Sequence, residues 1–403
     1  MRIAIFTDVF PPSINGVSSS ILLLSKELVR RGHFVRVFTP KIRKGQLTKA
    51  QLEGVNVSYS SSIPSLFYPD VKLAIPVYPK TVYQLIKDKI DIVHFHTPLP
   101  IGADGILAAK LLGLPIVGTF HTYFMEPEYL KVMGLDRAGE GMTNLLVKLG
   151  WKYSNLYYNA ANLVTSPSIY TQKMLIKNNI KTKSIVIPNG ISVPISTLRE
   201  LAQHAREKTC LYVGRISKEK NMGALIEAFD LVHKKIPDAK LTIVGSGPDL
   251  KKITKLVEKK NLQNVITLTG KIPYEKLLAS SLYRESTLFV TASTSENQPM
   301  SLLEAMAFGL PIVAVGKRGI PELINNNGLL CRNGTPKELA AHIITILENP
   351  KKAQAMSQAA LRNAKKFTIS HVATQFEKIY QDLITKNAKQ KRSPLASGLS
   401  KLL

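Results

Sequence analysis

Apolar positions along this chain alternate between two rhythms. Arg2–Phe6 is an apolar run of strand length, and from Val17 to Arg31 the apolar residues Ile21, Leu24, Leu28 and Val29 recur at helical spacing. Gly32 stands where the C′ residue of a helix belongs, and His33–Thr39 returns as a strand. Further strand cores are Ile90–Phe95, Pro115–Phe120, Leu163–Ser166 and Ser184–Ile187, with helical stretches between most of them. This βαβ alternation predicts a parallel sheet covered on both faces, since parallel neighbours need crossover connections. Pro188-Asn189-Gly190 ends the series, and Ser192–Glu207 is polar and weakly patterned, as a linker is.

The alternation then starts afresh. Strands at Thr209–Val213, Lys240–Val244, Val265–Thr269, Leu288–Thr291 and Pro311–Val315 alternate with helices near Met222–Lys235, Asp249–Lys260, Tyr274–Tyr283 and Pro299–Phe308. Three helical stretches, Thr335–Glu348, Lys351–Lys366 and Ile369–Thr385, precede a basic tail. The fold class is therefore α/β: two doubly wound domains, 1–191 and 192–368, with a closing helix and tail at 369–403. Ligands of such sheets bind beyond the carboxyl ends of the strands, so the expectation is a site in a cleft between the domains.

Composition narrows the class. With 403 residues, 45% hydrophobic and 20% charged, the chain has ample core, which excludes collagen, coiled coil and disorder. No apolar run reaches the ~18 residues of a membrane-spanning helix; Ile106–Phe120 is interrupted by Lys110, Gly113, Pro115 and Gly118. The apolar run after Arg2 meets Asp8 too soon for a signal peptide. Two cysteines, Cys210 and Cys331, make neither a disulfide framework nor a zinc spacing, and a reducing cytoplasm fits.

Charge alters the picture more. Fifty-four Lys+Arg against 28 Asp+Glu gives +26, a surplus that attracts polyanions: nucleic acid, an anionic membrane surface or phosphorylated substrates. No nucleic-acid recognition motif accompanies it and the cations are spread along the chain, so nucleic acid is not the expected partner.

The densest chemistry lies in Ser295–Pro311, where Glu296 and Glu304 stand eight apart. Glu296 falls in a loop after a strand, and Glu304 about a turn inside the following helix. Pro299 suits the first helical turn and Gly309 the C′ position. The amides of Met300, Ser301 and Leu302 would be free donors at a positive helix end, a phosphate site. Glu296 suits sugar hydroxyls and Glu304 those of a ribose; the plainer alternative makes Glu296 a capping acid and Glu304 a solvated helix residue. In Val213–Met222, Gly214 leaves a strand and Arg215 and Lys220 flank a short loop, where two cations can clamp a diphosphate.

Asn15-Gly16-Val17, at the first strand-to-helix turn, supplies backbone that approaches a ligand closely because Gly16 lacks a Cβ. G-x-G-x-x-G is absent there, which argues against NAD and FAD. Gly245-Ser246-Gly247-Pro248 is another glycine turn, either a ligand loop or simply a tight turn with Pro248 at the helix start. His121 ends an apolar strand, a functional address in an open α/β sheet. His94 and His96 alternate onto one face and lack a third metal ligand, so the reading for them is buried packing. Asp8 is the acid nearest the first ligand turn. No D-x-D occurs, so no metal site for a sugar-nucleotide diphosphate is expected and cations and helix ends must neutralise it. Leu145–Tyr158, with Trp151, three tyrosines and two lysines, reads as either an interfacial helix or an ordinary packed one. The tail residues Lys386, Lys389, Lys391, Arg392 and Lys401 with Leu402-Leu403 suit anionic headgroups or a solubilising end.

As a set, these segments resemble the retaining GT-B glycosyltransferases of family 4. Ser295–Pro311 matches the E-x7-E signature, and Gly214-Arg215 with Lys220, Pro188-Asn189-Gly190, Gly245–Pro248 and Pro11–Val17 match in order and spacing over about residues 1–385. The resemblance implies two Rossmann-like domains facing across a cleft, with Ile369–Thr385 crossing back onto the first. It implies that Arg215 and Lys220 bind the donor diphosphate and stabilise the leaving group, and that Glu296 holds the donor sugar and Glu304 the ribose. Gly16 would lend backbone to the diphosphate, and His121 would be the active-site histidine beside the sugar. Gln298-Pro299 departs from the family's frequent Phe-Gly, which moves phosphate binding to Met300 and Ser301.

The family's account of retention is a front-face displacement, the departing phosphate taking the acceptor proton, with no metal and no cofactor beyond the nucleotide-sugar substrate. Strong basicity, the aromatic-basic segment and the turns at Asn15-Gly16-Val17 and Thr119–Thr122 look most like the membrane-associated glycolipid branch. The expectation is glucose transfer from UDP-glucose to 1,2-diacylglycerol by a peripheral protein on the inner membrane face. The alternatives are a transferase building a capsule or lipopolysaccharide saccharide, a phosphatidylinositol mannosyltransferase using GDP-mannose, and a sugar-nucleotide epimerase.

Overall fold

The computed structural model describes residues 1–12, 15–41, 47–64, 72–75, 78–121, 139–193, 195 and 208–391. Thr122, most of the 192–207 linker and the tail residues Arg392, Lys401, Leu402 and Leu403 lie outside the described residues. The chain divides into two units, one holding Met1–Gly190 and the chain from Ile369 onward, the other Ile191–Thr368.

In the first unit the order is β1 (Arg2–Phe6), α1 (Gly16–Arg30), β2 (Phe34–Pro40), α2 (Lys49–Leu52), β3 (Asn56–Ser60), β4 (Ser62–Pro64), β5 (Lys72–Ala74) and α3 (Tyr78–Lys87). It continues with β6 (Ile92–Phe95), α4 (Pro100–Leu112), β7 (Ile116–Thr119), α5 (Glu140–Tyr158), β8 (Leu163–Ser166), α6 (Ile169–Lys177) and β9 (Ser184–Val186). Seven strands form one parallel sheet in the order β3-β2-β1-β6-β7-β8-β9, and β4 pairs antiparallel with β5. Successive β1 side chains enter opposite cores: Ala4 and Phe6 join one apolar cluster, Ile3 and Ile5 the other. Both faces are covered, which is why the strands are apolar runs instead of alternating ones.

The second unit runs β10 (Thr209–Val213), α7 (Met222–Lys235), β11 (Lys240–Val244), α8 (Leu250–Lys259), β12 (Ile266–Gly270), α9 (Tyr274–Ala279), α10 (Leu282–Glu285) and β13 (Leu288–Thr291). Then come α11 (Met300–Ala307), β14 (Ile312–Val315), β15 (Gly328–Cys331), α12 (Pro336–Leu347) and α13 (Pro350–Ala364). Its parallel sheet has the order β12-β11-β10-β13-β14-β15, the doubly wound arrangement of dinucleotide folds. The closing helix, α14 (Ile369–Lys391), returns to the first unit. Val372, Ala373, Phe376 and Tyr380 fill one core there, and Arg31 of the first unit binds Glu377 at 2.6 Å.

Three expectations change. The single helix expected over Tyr274–Tyr283 is two, because Ser280 turns extended and its hydroxyl takes the Leu277 carbonyl at 2.6 Å in place of a continuing amide. Edge strands β3 and β15 were not expected: β3 mixes polar with apolar residues and is only partly buried, and β15 is a four-residue strand too short to stand out. The last helix runs past Thr385 to Lys391, which makes Lys386 and Lys389 helical and exposed instead of part of a loose tail.

Candidate functional site

Strand order decides where ligands bind in each sheet. In the second unit the order reverses between β10 and β13, so the loops after those two strands bound the crevice where doubly wound sheets hold ligands. Gly214, Arg215 and Lys220 follow β10; Glu296 follows β13. Lys220 Nζ donates to Glu296 Oε1 at 2.5 Å, both side chains being 17% exposed. The loop reaches Lys220 through a 3₁₀ turn over Lys218–Lys220, closed by Asn221 in the left-handed region that asparagine tolerates. Ser293 Oγ donates to the Glu219 carbonyl at 3.3 Å, tying the two loops together.

Behind Glu296 stands the amino end of α11. Pro299 is its N-cap residue, one position earlier than expected. Leu302 N–H donates to the Pro299 carbonyl at 3.2 Å, so it is not the free donor foreseen for it. Met300 and Ser301, the first two helical residues, carry amides that the helix itself cannot pair. Gly309, at φ +75°, ends the helix at C′ as the sequence implied.

Glu304 is not a solvated helix residue. It is 2% exposed, its Oε2 accepts the Tyr283 hydroxyl at 2.9 Å, and burial raises its pKa above the usual carboxylate range. Oε1 makes no direct hydrogen bond among the described residues, and the buried Tyr274 hydroxyl, equally without one, bears on the same carboxylate. All but one residue of α11 are buried, so the helix has no polar face from which the direction of Glu304 follows.

Gly245 and Gly247 serve the approach of one loop to another. A Cβ at Gly245 would lie 1.8 Å from the Gly214 carbonyl oxygen, and one at Gly247 2.1 Å from that of Ile216. Ile216 N–H in turn donates to the Ser246 carbonyl at 3.0 Å. The turn therefore braces the Gly214–Ile216 segment that carries Arg215, and α8 begins at Leu250, beyond Pro248. Gly247→Ala has to displace backbone, so it should destabilise the protein by about 2 kcal/mol or more; an unshifted thermal midpoint would show that the loop has slack.

The first unit repeats the logic, its order reversing between β1 and β6. Asp8, after β1, accepts the Thr97 hydroxyl at 2.9 Å and faces the first amides of α4; burial pushes its pKa up to about 7. Asn15 is the N-cap of α1, its Oδ1 taking the Ser18 amide at 2.9 Å, and Gly16 is the helix's exposed first residue. His121, at the end of β7, is 9% exposed, and burial pushes its pKa down to about 4.

His94 and His96 are buried, as their alternation implied, but they are more than filling. His94 joins Tyr380 of α14 at 2.7 Å and Thr119 at 2.6 Å, and His96 Nδ1 lies 2.9 Å from His121 Nε2. These contacts link residues 25 or more positions apart, and no local signal announced them. Trp151, left open between an interfacial and a packed helix, faces the core at 8% exposure and stacks on Phe120.

The comparisons with known proteins agree with this architecture. Residues 14–193 match the family described as Glycosyltransferase Family 4, and residues 197–363 the family described as Glycosyl transferases group 1. An alpha-monoglucosyldiacylglycerol synthase of Acholeplasma laidlawii is 29% identical over 410 residues, 97% of this chain and 99% of that protein. Its namesake from Streptococcus pneumoniae is 30% identical over 339 residues, 81% of this chain and 74% of that one. Among solved structures, Anabaena Alr3699/HepE in complex with UDP superposes with a TM-score of 0.73 at 20% identity, covering 95% of this chain and all of that one. That last likeness concerns the fold.

Proposed function

The chain belongs to the family 4 glycosyltransferases of GT-B fold, and from that premise we propose that it transfers glucose from UDP-glucose to 1,2-diacylglycerol with retention. The observation that carries the reading is the convergence, at the switch point of the second sheet, of Lys220, Glu296 and the amino end of α11. A lysine, an arginine and unpaired amides suit a diphosphate; an adjacent carboxylate suits sugar hydroxyls. The names of the two synthases support the lipid acceptor and the glucosyl donor.

In this reading Arg215, Lys220 and the Met300 and Ser301 amides hold the diphosphate. The incoming anion draws Lys220 away from Glu296, whose carboxylate then accepts sugar hydroxyls, and Glu304 Oε1 takes a ribose hydroxyl. The bond from the anomeric carbon to the phosphate oxygen breaks while the acceptor oxygen bonds the same carbon from the same face. The departing phosphate accepts the hydroxyl proton. The protein's share is electrostatic: its cations and helix end meet charge as it grows on the leaving group. No metal is invoked.

No helix among the described residues is long and apolar enough to cross a membrane. The outer surfaces of α3, α4 and α5 nevertheless expose Ile86, Leu107, Leu111, Leu145, Leu149 and Leu156. Lys87, Lys110, Lys148 and Lys152 stand exposed among them. On α5, Leu145, Leu149, Lys152 and Leu156 follow helical spacing along one stripe. Such a face suits peripheral binding to the anionic inner leaflet.

Purified protein, anionic vesicles containing diacylglycerol, EDTA and a panel of UDP- and GDP-sugars test the whole reading. We expect glucolipid from UDP-glucose alone, with vesicle binding that weakens as salt rises. Nucleotide release without glycolipid would move the acceptor to a saccharide; a strict metal requirement would overturn the charge assignment.

A further inference from the structure

The second unit gathers three side chains of metal-binding type away from the residues that face its switch point. Cys331 closes the edge strand β15. Glu338 and His342 stand four residues apart on α12, so they share one face of that helix. A thiol sulfur, a carboxylate oxygen and an imidazole nitrogen there lie within 4.8 Å of one another. Three atoms that close share a point at most about 2.8 Å from each, against about 2.0–2.3 Å for zinc bonds to the same atom types. Each ligand atom closes on an ion by moving less than about 1 Å.

Local structure prepares the carboxylate. The Arg332, Asn333 and Gly334 amides donate to Glu338, and the Thr335 hydroxyl takes the Glu338 amide at 3.3 Å, the reciprocal bonds of a helix cap. Oε2 receives two of those three amides and Oε1 one, so Oε1 keeps a lone pair on a side chain fixed in place. Carboxylates that ligate metals are held in this way, by hydrogen bonds on their other lone pairs. Cys331 is buried beside the same carboxylate, which keeps it a thiol. A divalent ion changes that balance, because it neutralises the carboxylate and takes the sulfur as thiolate. Glu338 and His342 are half-buried, so an ion enters past them and not through the core.

We propose that Cys331, Glu338 and His342 form a zinc site that fastens edge strand β15 to α12, with water in the fourth position. Binding replaces the S–H bond of Cys331 with a sulfur–zinc bond and releases the proton to solvent. A sulfur and a nitrogen select a borderline-soft ion, whereas Mg²⁺ and Ca²⁺ take oxygen ligands. No residue assigned to the donor lies on β15 or α12. The site is structural and takes no part in the proposed transfer.

Full-length protein stripped with EDTA and dialysed is titrated with Co²⁺, a spectroscopic substitute, and with Zn²⁺. We expect one ion per chain, a thiolate-to-cobalt charge-transfer band that Zn²⁺ removes, and a thermal midpoint raised by Zn²⁺ but not by Mg²⁺. The chain has two cysteines, so Cys331→Ala should abolish the band and Cys210→Ala should keep it. His342→Ala should weaken Zn²⁺ binding at least about 10-fold and leave the metal-free midpoint in place. A wild type without the band, a band that survives Cys331→Ala, or unchanged Zn²⁺ affinity in His342→Ala overturns the proposal. Should either cysteine variant not fold, wild type and His342→Ala decide it.

Discussion

Lys220→Ala should lower kcat/KM about 100- to 1,000-fold, a loss comparable to removing one preorganised donor from a charge-stabilising site. In the proposed site two effects combine in that figure. The diphosphate loses a cation, and Glu296, which the lysine holds at 2.5 Å, becomes an unpaired carboxylate beside the place the phosphates occupy. Its negative charge then repels the substrate that Lys220 was meant to attract. Glu296→Ala should also cripple transfer, because it removes the carboxylate proposed to accept the sugar hydroxyls. The double variant should be little worse than the poorer single one, since losing Glu296 also removes the repulsion created by losing Lys220. A double-mutant cycle in kcat/KM, with thermal melts to confirm folding, reads this directly. Strictly additive losses would mean that the pair seen in the structure has no part in binding, and an active Lys220→Ala enzyme would remove the lysine from the diphosphate site.

Acidification from pH 7 to 4.5 should destabilise the first unit, and magnitudes decide the sign. In the folded chain burial pushes His94 down to about 3 and His121 to about 4, against about 6.5 when unfolded. As pH falls below 6.5 the unfolded chain binds protons that the folded one refuses, so stability is lost. Each of these histidines contributes between about 2 and 3 kcal/mol of loss by pH 4.5, and His96 adds to it in the same direction. Asp8 acts oppositely. Its folded pKa of about 7 lies above the unfolded value of about 3.9, so protonation favours the folded state by about 3 kcal/mol over the same interval. Three histidines outweigh one carboxyl, and the thermal midpoint should fall by about 5–10 °C. Asp8→Asn removes the opposing contribution, so that variant should be steadier than wild type at pH 8 and fall more steeply in acid. A flat midpoint in Asp8→Asn between pH 7.5 and 4.5 would show that the histidines are not held neutral.

How far the site was legible depended on the range of the interactions involved. β10 and β13 were readable because strands buried on both faces are continuous apolar runs, and the segments that leave them carry recognisable chemistry: Gly214, Arg215 and Lys220 in one, Glu296, Glu304 and Gly309 in the other. The Gly309 stop was equally legible, since helix termination is settled within a turn, whereas Asn15, read as a ligand residue, proves to be the cap of α1. The direction of Glu304 was not. A helix buried on nearly all sides has no polar face, and a carboxylate within it looks like any solvated one until Tyr283 is placed against it. Trp151 stayed undecided for a related reason, because aromatic rings suit a core and an interface alike.

By itself, then, the sequence determined what local forces determine: alternating strands and helices, their caps, the two sheets they build, and a set of groups fit to bind a nucleotide-sugar. Tertiary structure alone decided who meets whom. Lys220 and Glu296 are 76 positions apart, and His96 and His121 are 25 apart. Each pair is joined because strand order sets one loop beside another at the carboxyl edge of a sheet. Order among strands is a property of the whole packing, in which burial of both sheet faces selects one arrangement from many that satisfy the same local pattern. The hydrogen bonds of the site are consequences of that selection.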